Sequence, residues 1–253
     1  MCTVTVCRSE RRIIVTMNRD ERYERHEGGL FERHAGELAW CFPRDGESEG
    51  SWIATSNRGE FACLLNRYDT VTESQRPSRG GLVCEALRRS RQQSGSAWLA
   101  HSLQPQRYAP FTLLLYTVDE GLLRTDWNGR AATTALIELD QDYMASSSSE
   151  SAAEVLLYRQ QCFARWQERG RPCVSEVPRF HLEQCDRDPG RSVLMQRTAT
   201  HSKSLTQLVL EEGGVELRYW DENAMNGWRQ HAHLSTPAST YFELTREEGV
   251  CHV

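Results

Sequence analysis

MCTVTVCRSERRIIVTMNRDE (residues 1–21) is the stretch of the sequence that decides the fold. Within it, Cys2–Cys7 alternates β-branched residues with others, and Arg12–Asn18 is dense in Ile, Val and Thr. Both patterns are typical of β-strands, and the polar segment Arg8–Arg11 separates them. The sequence therefore predicts a hairpin that begins at residue 2 and brings Asn18-Arg19-Asp20-Glu21 back beside the N-terminus.

The rest of the chain predicts strand blocks around a helical middle. After a charged loop at Asn18–Gly29, strand patterns occur at Glu37–Phe42, Ser51–Thr55, Glu60–Leu65, Phe111–Val118, Leu122–Trp127, Ser204–Leu210, Val215–Trp220 and 239–244. Helical spacing occurs at Leu82–Gln93, Ala97–Leu103 and Ala152–Gln167.

Three stretches refine this organisation. The apolar run Phe111–Val118 is typical of a strand covered on both faces. The serine run Ser146–Ser149 is typical of a linker, and Arg191–Lys203 has no regular pattern. With no internal repeat and no long Pro/Gly-rich linker, we expect one α+β domain over residues 1–253, with two sheets and helices outside them.

Composition narrows the classes of partner. The 253 residues include 30 Lys plus Arg against 35 Asp plus Glu, a net charge of −5, so no global basic field favours nucleic acid. No run of about 18 apolar residues predicts a transmembrane helix, and the N-terminus lacks the pattern of a signal peptide. We expect a cytoplasmic protein with a small-molecule ligand or substrate, and the oligomeric state stays open.

The nine cysteines are an odd number with no C-x-x-C pair, which argues against a disulfide framework and against a metal site. Cys2 is different because removal of Met1 would leave it with a free α-amine. A thiol of pKa about 8.5 beside an amine of pKa about 7.7 to 8.0 is a nucleophile with its own base. The alternative is that Cys2 is a small strand residue.

The charged segment after the second strand supplies possible partners for Cys2. Asp20 could hold the ammonium group, Arg19 could favour the thiolate, and Asn18 could donate to a substrate carbonyl. The alternative is a charged turn in which Asp and Asn cap backbone groups.

At this point the sequence resembles the NRDE-motif proteins, also called the transport and Golgi organisation 2 family. The resemblance rests on motifs spread along the chain, which are Met1-Cys2, Asn18-Arg19-Asp20-Glu21, Gly50-Ser51-Trp52, Asn57-Arg58-Gly59, Leu64-Leu65-Asn66, Arg79-Gly80 and Thr240-Tyr241-Phe242.

The resemblance implies a four-layer αββα sandwich of the N-terminal-nucleophile hydrolase type, related to choloylglycine hydrolases and penicillin V acylases. By that analogy Cys2 is the nucleophile, Arg19 and Asp20 set its protonation and orientation, and Asn66 supplies an oxyanion-hole donor. The alternative is that Asn66 is a turn residue.

The substrate-binding residues implied in the same way are Asn18, Trp52 and Lys203. Trp52 is also compatible with a core position. By this resemblance, Lys203 replaces an expected arginine. A lysine keeps the positive charge but lacks the planar guanidinium that binds a carboxylate with two hydrogen bonds.

The function that follows is a cysteine-type amidohydrolase or acyltransferase, acting on a small amide or thioester through an acyl-Cys2 intermediate and needing no cofactor. The alternative implied by the family is a haem carrier or chaperone, with His26, His34 or His201 as conceivable axial ligands. Binding of an acyl ligand without catalysis, or a structural interaction role, are further alternatives.

Overall fold

A computed structural model describes residues 2–9, 11–68, 76–90, 92–169 and 179–244. The strands are β1 (Cys2–Ser9), β2 (Arg12–Arg22), β3 (Glu27–Ala35), β4 (Leu38–Asp45), β5 (Ile53–Ser56), β6 (Phe61–Asn66), β7 (Phe111–Thr117), β8 (Gly121–Trp127), β9 (Ala132–Ile137), β10 (Tyr143–Ser147), β11 (Thr200–Glu211), β12 (Gly214–Trp220) and β13 (Ala238–Glu243). The helices are α1 (Gly81–Ser90), α2 (Gly95–Ala97, followed by a π-helical turn at Trp98–Ser102), α3 (Ala152–Gln167) and α4 (Glu222–His231).

The strands form two antiparallel sheets. One has six strands in the order β10-β1-β2-β11-β12-β13, and the other has seven in the order β3-β4-β5-β6-β7-β8-β9. Their facing sides share one apolar core, which includes Val4, Met17, Ile53, Leu114 and Leu208. Burial of this surface is the main stabilising contribution to the stack, at about 25 cal/mol per Å² of apolar area removed from water.

Helices cover the outer face of each sheet. Leu82 and Leu87 of α1 pack with Phe42 and Leu113 of the seven-stranded sheet. Met225 of α4 packs with strand β11 of the six-stranded sheet, and α3 lies against β10 of the same sheet. The architecture is therefore α+β with four layers in the order αββα, as predicted.

Most predicted elements are confirmed, including both N-terminal strands, the buried strand β7 and helix α3 with the bounds Ala152–Gln167. Three predictions are wrong. The charged loop at Asn18–Gly29 is strand up to Arg22 and again from Glu27. The irregular stretch ending at Lys203 is strand from Thr200.

The serine run is the third error, because Ser146 and Ser147 end strand β10 and pair with β1. The common reason is that polar side chains in these stretches find partners within the protein, so the strands can continue through them. None of the described helices is long and apolar enough to cross a membrane.

Candidate active site

Cys2 begins strand β1, with a neighbouring strand on each side. The register sets Cys2 opposite Ser147 of β10 and Arg19 of β2. The Cys2 backbone N–H donates to the Ser147 hydroxyl at 3.2 Å. Only 7% of Cys2 is exposed. The hairpin thus places Cys2 directly beside the Asn18–Glu21 segment, as predicted.

Cys2 lines a cavity of about 440 Å³, which we name the Cys2 cavity. Among the residues that line it are Cys2, Arg19, Asp20, Trp52, Asn66 and Arg79. Four of these, Arg19, Asp20, Trp52 and Asn66, are site residues predicted from the sequence together with Cys2. The structure therefore brings five of the seven predicted site residues to one cavity.

Alternation along the strands decides which side chains reach the cavity. Successive side chains of a strand point to opposite faces of the sheet. Cys2 joins the core between the sheets, and Arg19 lies opposite it on the same face, with its guanidinium carbon 4.4 Å from the centre of the Trp52 ring. Thr3 and Asn18 point to the other face, toward the helical layer.

Arg19 is neutralised by acidic side chains rather than left free. Its guanidinium donates to Glu27 at 2.9 Å and to Asp45 at 2.5 Å, and a Glu21 oxygen lies 3.7 Å away. Only 4% of the Arg19 side chain is exposed. The stacking on Trp52 and the two hydrogen bonds fix the guanidinium plane, so the Arg19 guanidinium is held at a fixed position beside Cys2.

Asp45, which accepts a hydrogen bond from Arg19, has a lowered pKa. Burial by itself would raise its pKa, but bonds from Arg25 and from the backbone of Ser48, with the charge of Arg19, hold the pKa of Asp45 well below its usual range. The carboxylate is therefore ionised throughout the neutral range.

Asp20 lines the Cys2 cavity, but its carboxylate bonds to groups behind the sheet. One oxygen accepts from the Ser202 hydroxyl at 2.5 Å, and the other lies 3.5 Å from the Arg159 guanidinium of helix α3. Both Asp20 and Arg159 are fully buried in their side chains. Asp20 therefore joins β2 to β11 and α3, and it fixes the end of β2 that faces Cys2.

Arg159 is a site-supporting residue that the sequence analysis missed. It also donates to the hydroxyls of Thr3 and Ser146 at 2.8 and 2.9 Å, so it holds the strands on either side of the Cys2 backbone. The helical spacing of the sequence indicates its position. Val155 lies four residues before Arg159, and Cys162 and Phe163 lie three and four residues after it, so Arg159 is on the apolar face of α3.

Asn18 and Lys203 are the two predicted residues that do not line the Cys2 cavity. Asn18 is fully buried, and its amide bonds to the carbonyl oxygen and the Nδ1 atom of His181. Lys203 lies at a β-bulge between Ser202 and Ser204. A bulge redirects a side chain, and Lys203 donates to the Tyr23 carbonyl at 2.9 Å and to Glu222 at 2.6 Å.

Lys203 lines a second cavity of about 860 Å³, which we name the Lys203 cavity. Its lining includes His26, Glu222, His231 and His233. The substrate-binding prediction for Lys203 thus refers to a different cavity from that of Cys2.

Asn66 ends strand β6 and lines two cavities at once. One is the Cys2 cavity, and the other, of about 420 Å³, is lined also by Ser146 and Ser147. Asn66 therefore lies where the two cavities approach each other. Its predicted part as a donor to an oxyanion is compatible with this position and stays a prediction.

The Cys2 thiol has a raised pKa. Burial is the largest cause, and the Asp20 carboxylate adds to it, whereas Arg19 and a hydrogen bond with the Asp20 backbone act in the opposite direction. The surroundings alone therefore keep Cys2 as a thiol at neutral pH, so activation requires a base that takes its proton.

Two glycines shape the wall of the Cys2 cavity at Arg79. A Cβ on Gly50 would lie 2.5 Å from the backbone carbon of Gly80, so only glycine permits this approach. The Ser51 N–H donates to the Gly80 carbonyl at 3.0 Å across the same contact. Arg79 immediately precedes this contact and lines the cavity just before α1 begins.

Within the described ranges, no group of three or more His, Cys, Asp or Glu side chains is arranged to hold a metal ion.

The fold is the four-layer sandwich of the N-terminal-nucleophile hydrolase type. The C2A mutant of conjugated bile acid hydrolase from Clostridium perfringens superposes with a TM-score of 0.52 at 8% identity, covering 100% of both chains. Penicillin V acylase from Agrobacterium tumefaciens gives 0.46 at 10% identity, with 96% of this chain and 86% of that chain covered.

An N-acylethanolamine-hydrolyzing acid amidase ortholog from Caenorhabditis elegans gives a TM-score of 0.45 at 10% identity, covering 81% of this chain and 92% of that chain. No curated protein matches the sequence. Residues 1–176 match the Transport and Golgi organisation 2 family, and the chain belongs to that family.

Proposed function

We propose that this protein is a cysteine-type amidohydrolase or acyltransferase in which Cys2, after removal of Met1, attacks a small amide or thioester. The observation that carries the proposal is the pairing of Cys2 with Arg19 at the wall of a cavity large enough for a small molecule. Met1 lies outside the described residues.

The free α-amine of Cys2 would act as the base. It takes the thiol proton while Sγ attacks the carbonyl carbon, which gives a tetrahedral intermediate with a negatively charged oxygen. Asn66 would donate to that oxygen, and its place in the lining of the same cavity supports this part of the proposal. Collapse breaks the bond to the leaving amine or thiolate, which receives the proton from the ammonium and leaves an acyl-Cys2 thioester.

Water or an amine then resolves the thioester. With water, the α-amine takes a proton from the attacking molecule, and the products are a carboxylic acid and the regenerated thiol. The Cys2 backbone nitrogen, which becomes the α-amine once Met1 is removed, bonds to the Ser147 hydroxyl at 3.2 Å, and this contact would orient the amine for both steps. The conjugated bile acid hydrolase in the structural comparison was described as a C2A mutant, so that enzyme also has a cysteine at its second position.

The test combines the mass of the purified protein with trapping of the intermediate. Incubation with a panel of acyl thioesters and N-acyl amides, followed by acid quenching, should add one acyl group to the N-terminal peptide of a chain that begins at Cys2. Cys2→Ala should abolish this adduct. Cys63→Ala is the matched control, because Cys63 is a fully buried thiol of the same core.

A variant with a lysine inserted between Met1 and Cys2 separates the two parts of the proposal. It retains the thiol but blocks the free amine, so turnover should fall by at least about 100-fold if the amine is the base. Unchanged turnover in this variant or in Cys2→Ala overturns the mechanism.

A carrier function is the second candidate, favoured by the burial of Cys2 and by the size of the Lys203 cavity. His26, His231 and His233 line that cavity, and imidazole is a common axial ligand of haem iron. Titration with haem should then give a saturable Soret shift that His231→Ala or His233→Ala weakens. A titration without a saturable shift argues against haem as the cargo.

A further inference from the structure

The Cys2 cavity contains two kinds of arginine. Arg19 and Arg25 both bond to Asp45 and are neutralised by it. Arg76 and Arg79 also line the cavity, but their hydrogen bonds go to main-chain carbonyls. Neither has a carboxylate within ion-pair distance in the part of the chain that the structure describes.

Arg79 is the better placed of these two for a ligand. Arg76 is exposed and donates to the carbonyls of Gln106 and Tyr108, whereas Arg79 is half-buried. One Arg79 guanidinium nitrogen donates to the Pro110 carbonyl at 2.8 Å, and this is the one hydrogen bond of the Arg79 side chain within the described ranges. A guanidinium has five N–H donors, so most of those of Arg79 are left for another molecule.

The backbone at Arg79 is held in place, so the guanidinium is preorganised. The contact of Gly80 with Gly50 and the hydrogen bond from Ser51 fix the residue that follows Arg79. The Pro110 carbonyl fixes one edge of the side chain. Arg79 and Cys2 also line the same cavity. A group bound by Arg79 would therefore lie near the Cys2 thiol.

We propose that Arg79 binds an anionic group of the substrate, a carboxylate or a phosphate, and so selects acyl compounds that carry a negative charge. The planar guanidinium matches two oxygens of either group with parallel hydrogen bonds. Partial burial strengthens such a pair relative to one at the surface. The inference rests on the proposed function for the reacting atom, Cys2, and it adds the chemical class of the molecule.

The test uses two alkylating reagents that differ in one charge. Iodoacetate transfers a carboxymethyl group to the Cys2 sulfur, and iodoacetamide transfers a carbamidomethyl group. In both reactions the C–S bond forms as the C–I bond breaks, iodide leaves and the thiol proton passes to a base, but only iodoacetate carries a carboxylate. The rate of labelling at the Cys2 peptide is measured by mass spectrometry for each reagent. The ratio of the two rates cancels any change in the pKa of the thiol, and comparing this ratio between variants cancels the intrinsic reactivity of each reagent.

Arg79→Gln should lower the iodoacetate-to-iodoacetamide ratio about tenfold. Arg79→Lys retains the charge and should give an intermediate ratio. If Arg79→Gln folds poorly, the ratio of Arg79→Lys is compared with that of the wild type instead. Arg88→Gln is the matched control, because Arg88 is exposed on α1 and lines a different cavity. It removes the same charge and should leave the ratio unchanged.

A second measurement separates this proposal from the proposed function. Acetate and phosphate, each compared with chloride at the same ionic strength, should raise the Tm of the wild type and of Arg88→Gln but not of Arg79→Gln. The anion that gives the larger shift identifies the group that Arg79 prefers. Failure of both reagents to label Cys2 counts against the proposed function, while the Tm comparison still decides the anion site. Equal ratios and equal Tm shifts in wild type and Arg79→Gln overturn the anion site.

Discussion

At the scale of single residues, the position of the Arg19 guanidinium beside Cys2 depends on Asp45. This carboxylate accepts from Arg19 at 2.5 Å and from two nitrogens of Arg25 at 2.8 and 3.0 Å. It also accepts from the backbone of Glu47 and Ser48. One acidic group therefore fixes two cationic side chains and the turn that follows β4.

Asp45→Asn should lower the free energy of unfolding by about 3 kcal/mol, because it removes the carboxylate that the buried Arg19 and the partly buried Arg25 share. The same change should slow labelling of Cys2, since Arg19 loses one of the contacts that hold it over Trp52. Chemical unfolding and the rate of iodoacetamide labelling measure the two effects.

Asp126→Asn is the matched control for this prediction. Asp126 also accepts from two arginines, Arg67 and Arg124, but it is more exposed and does not line the Cys2 cavity. Its loss should cost about 1 kcal/mol or less and leave the labelling rate unchanged. Equal effects of the two changes on labelling would contradict the part assigned to Asp45.

The sequence predicted which segments meet at Cys2 better than which side chains do. The hairpin placed Arg19 beside Cys2, and this is confirmed by the register. The same two-residue alternation puts Asn18 on the opposite face, where it bonds to His181. His181 lies 163 positions along the chain, so no local pattern could indicate it as the partner.

At the scale of secondary-structure elements, the Cys2 cavity depends on the contact between the start of β5 and the start of α1. Gly50 precedes β5 and Gly80 precedes α1, and their backbones touch without side chains between them. The Ser51 hydroxyl bonds to the carbonyls of Pro43 and Ile53, which ties this corner to β4 as well. The corner therefore sets the distance from Arg79 to the sheet.

Gly50→Ala should lower the free energy of unfolding by about 2 kcal/mol and also reduce labelling of Cys2, because the new Cβ pushes the backbone of Gly80 outward. Gly81→Ala is the matched control, since a Cβ there has nothing within 4 Å. We expect Gly81→Ala to leave both stability and labelling close to wild type. Thermal unfolding and the same labelling assay check both variants, and a tolerated Gly50→Ala would refute the tight contact.

Elements with buried polar faces were the ones placed incorrectly from sequence. Strand β11 begins at Thr200 and contains Ser202, Lys203 and Ser204, all of them buried. Such a segment has no apolar alternation, because its side chains bond to partners such as Asp20 and Glu27 instead of packing in an apolar core. Only those distant partners make the segment a strand.

At the scale of the whole molecule, the layer order followed from strand blocks and amphipathic helices, but the sheet edges did not. Strand β9 is an edge strand with mostly exposed residues, so no buried face generates a periodic pattern. Strand β10, at the edge of the other sheet, is short and rich in serine. Helix α4 was also not predicted, although Asp221 caps its N-terminus.

Acid sensitivity of the whole fold follows from the histidines that this architecture buries. Burial lowers the pKa of His181 from 6.5 to about 3. Its ring bonds to Thr5 and Asn18 of the central strands. His201 of β11 shows the same direction, with its pKa lowered to about 4, mainly by burial and by the charge of Arg229. Both rings are therefore neutral in the folded protein near pH 5.

Below pH 6.5 the unfolded chain takes up protons on these rings and the folded protein does not, so unfolding becomes more favourable as the pH falls. The stabilising contribution is complete above pH 6.5 and declines toward the folded pKa of about 3. For His181 alone, the free energy of unfolding should fall by up to ~2 kcal/mol between pH 6.5 and 5, at 1.36 kcal/mol per pH unit. Urea unfolding at the two pH values measures this fall in the free energy of unfolding.

His181→Gln removes this titration and should flatten the pH dependence by that amount, whereas the change His101→Gln at an exposed histidine should not. A dependence as steep in His181→Gln as in the wild type would show that other groups cause the acid sensitivity.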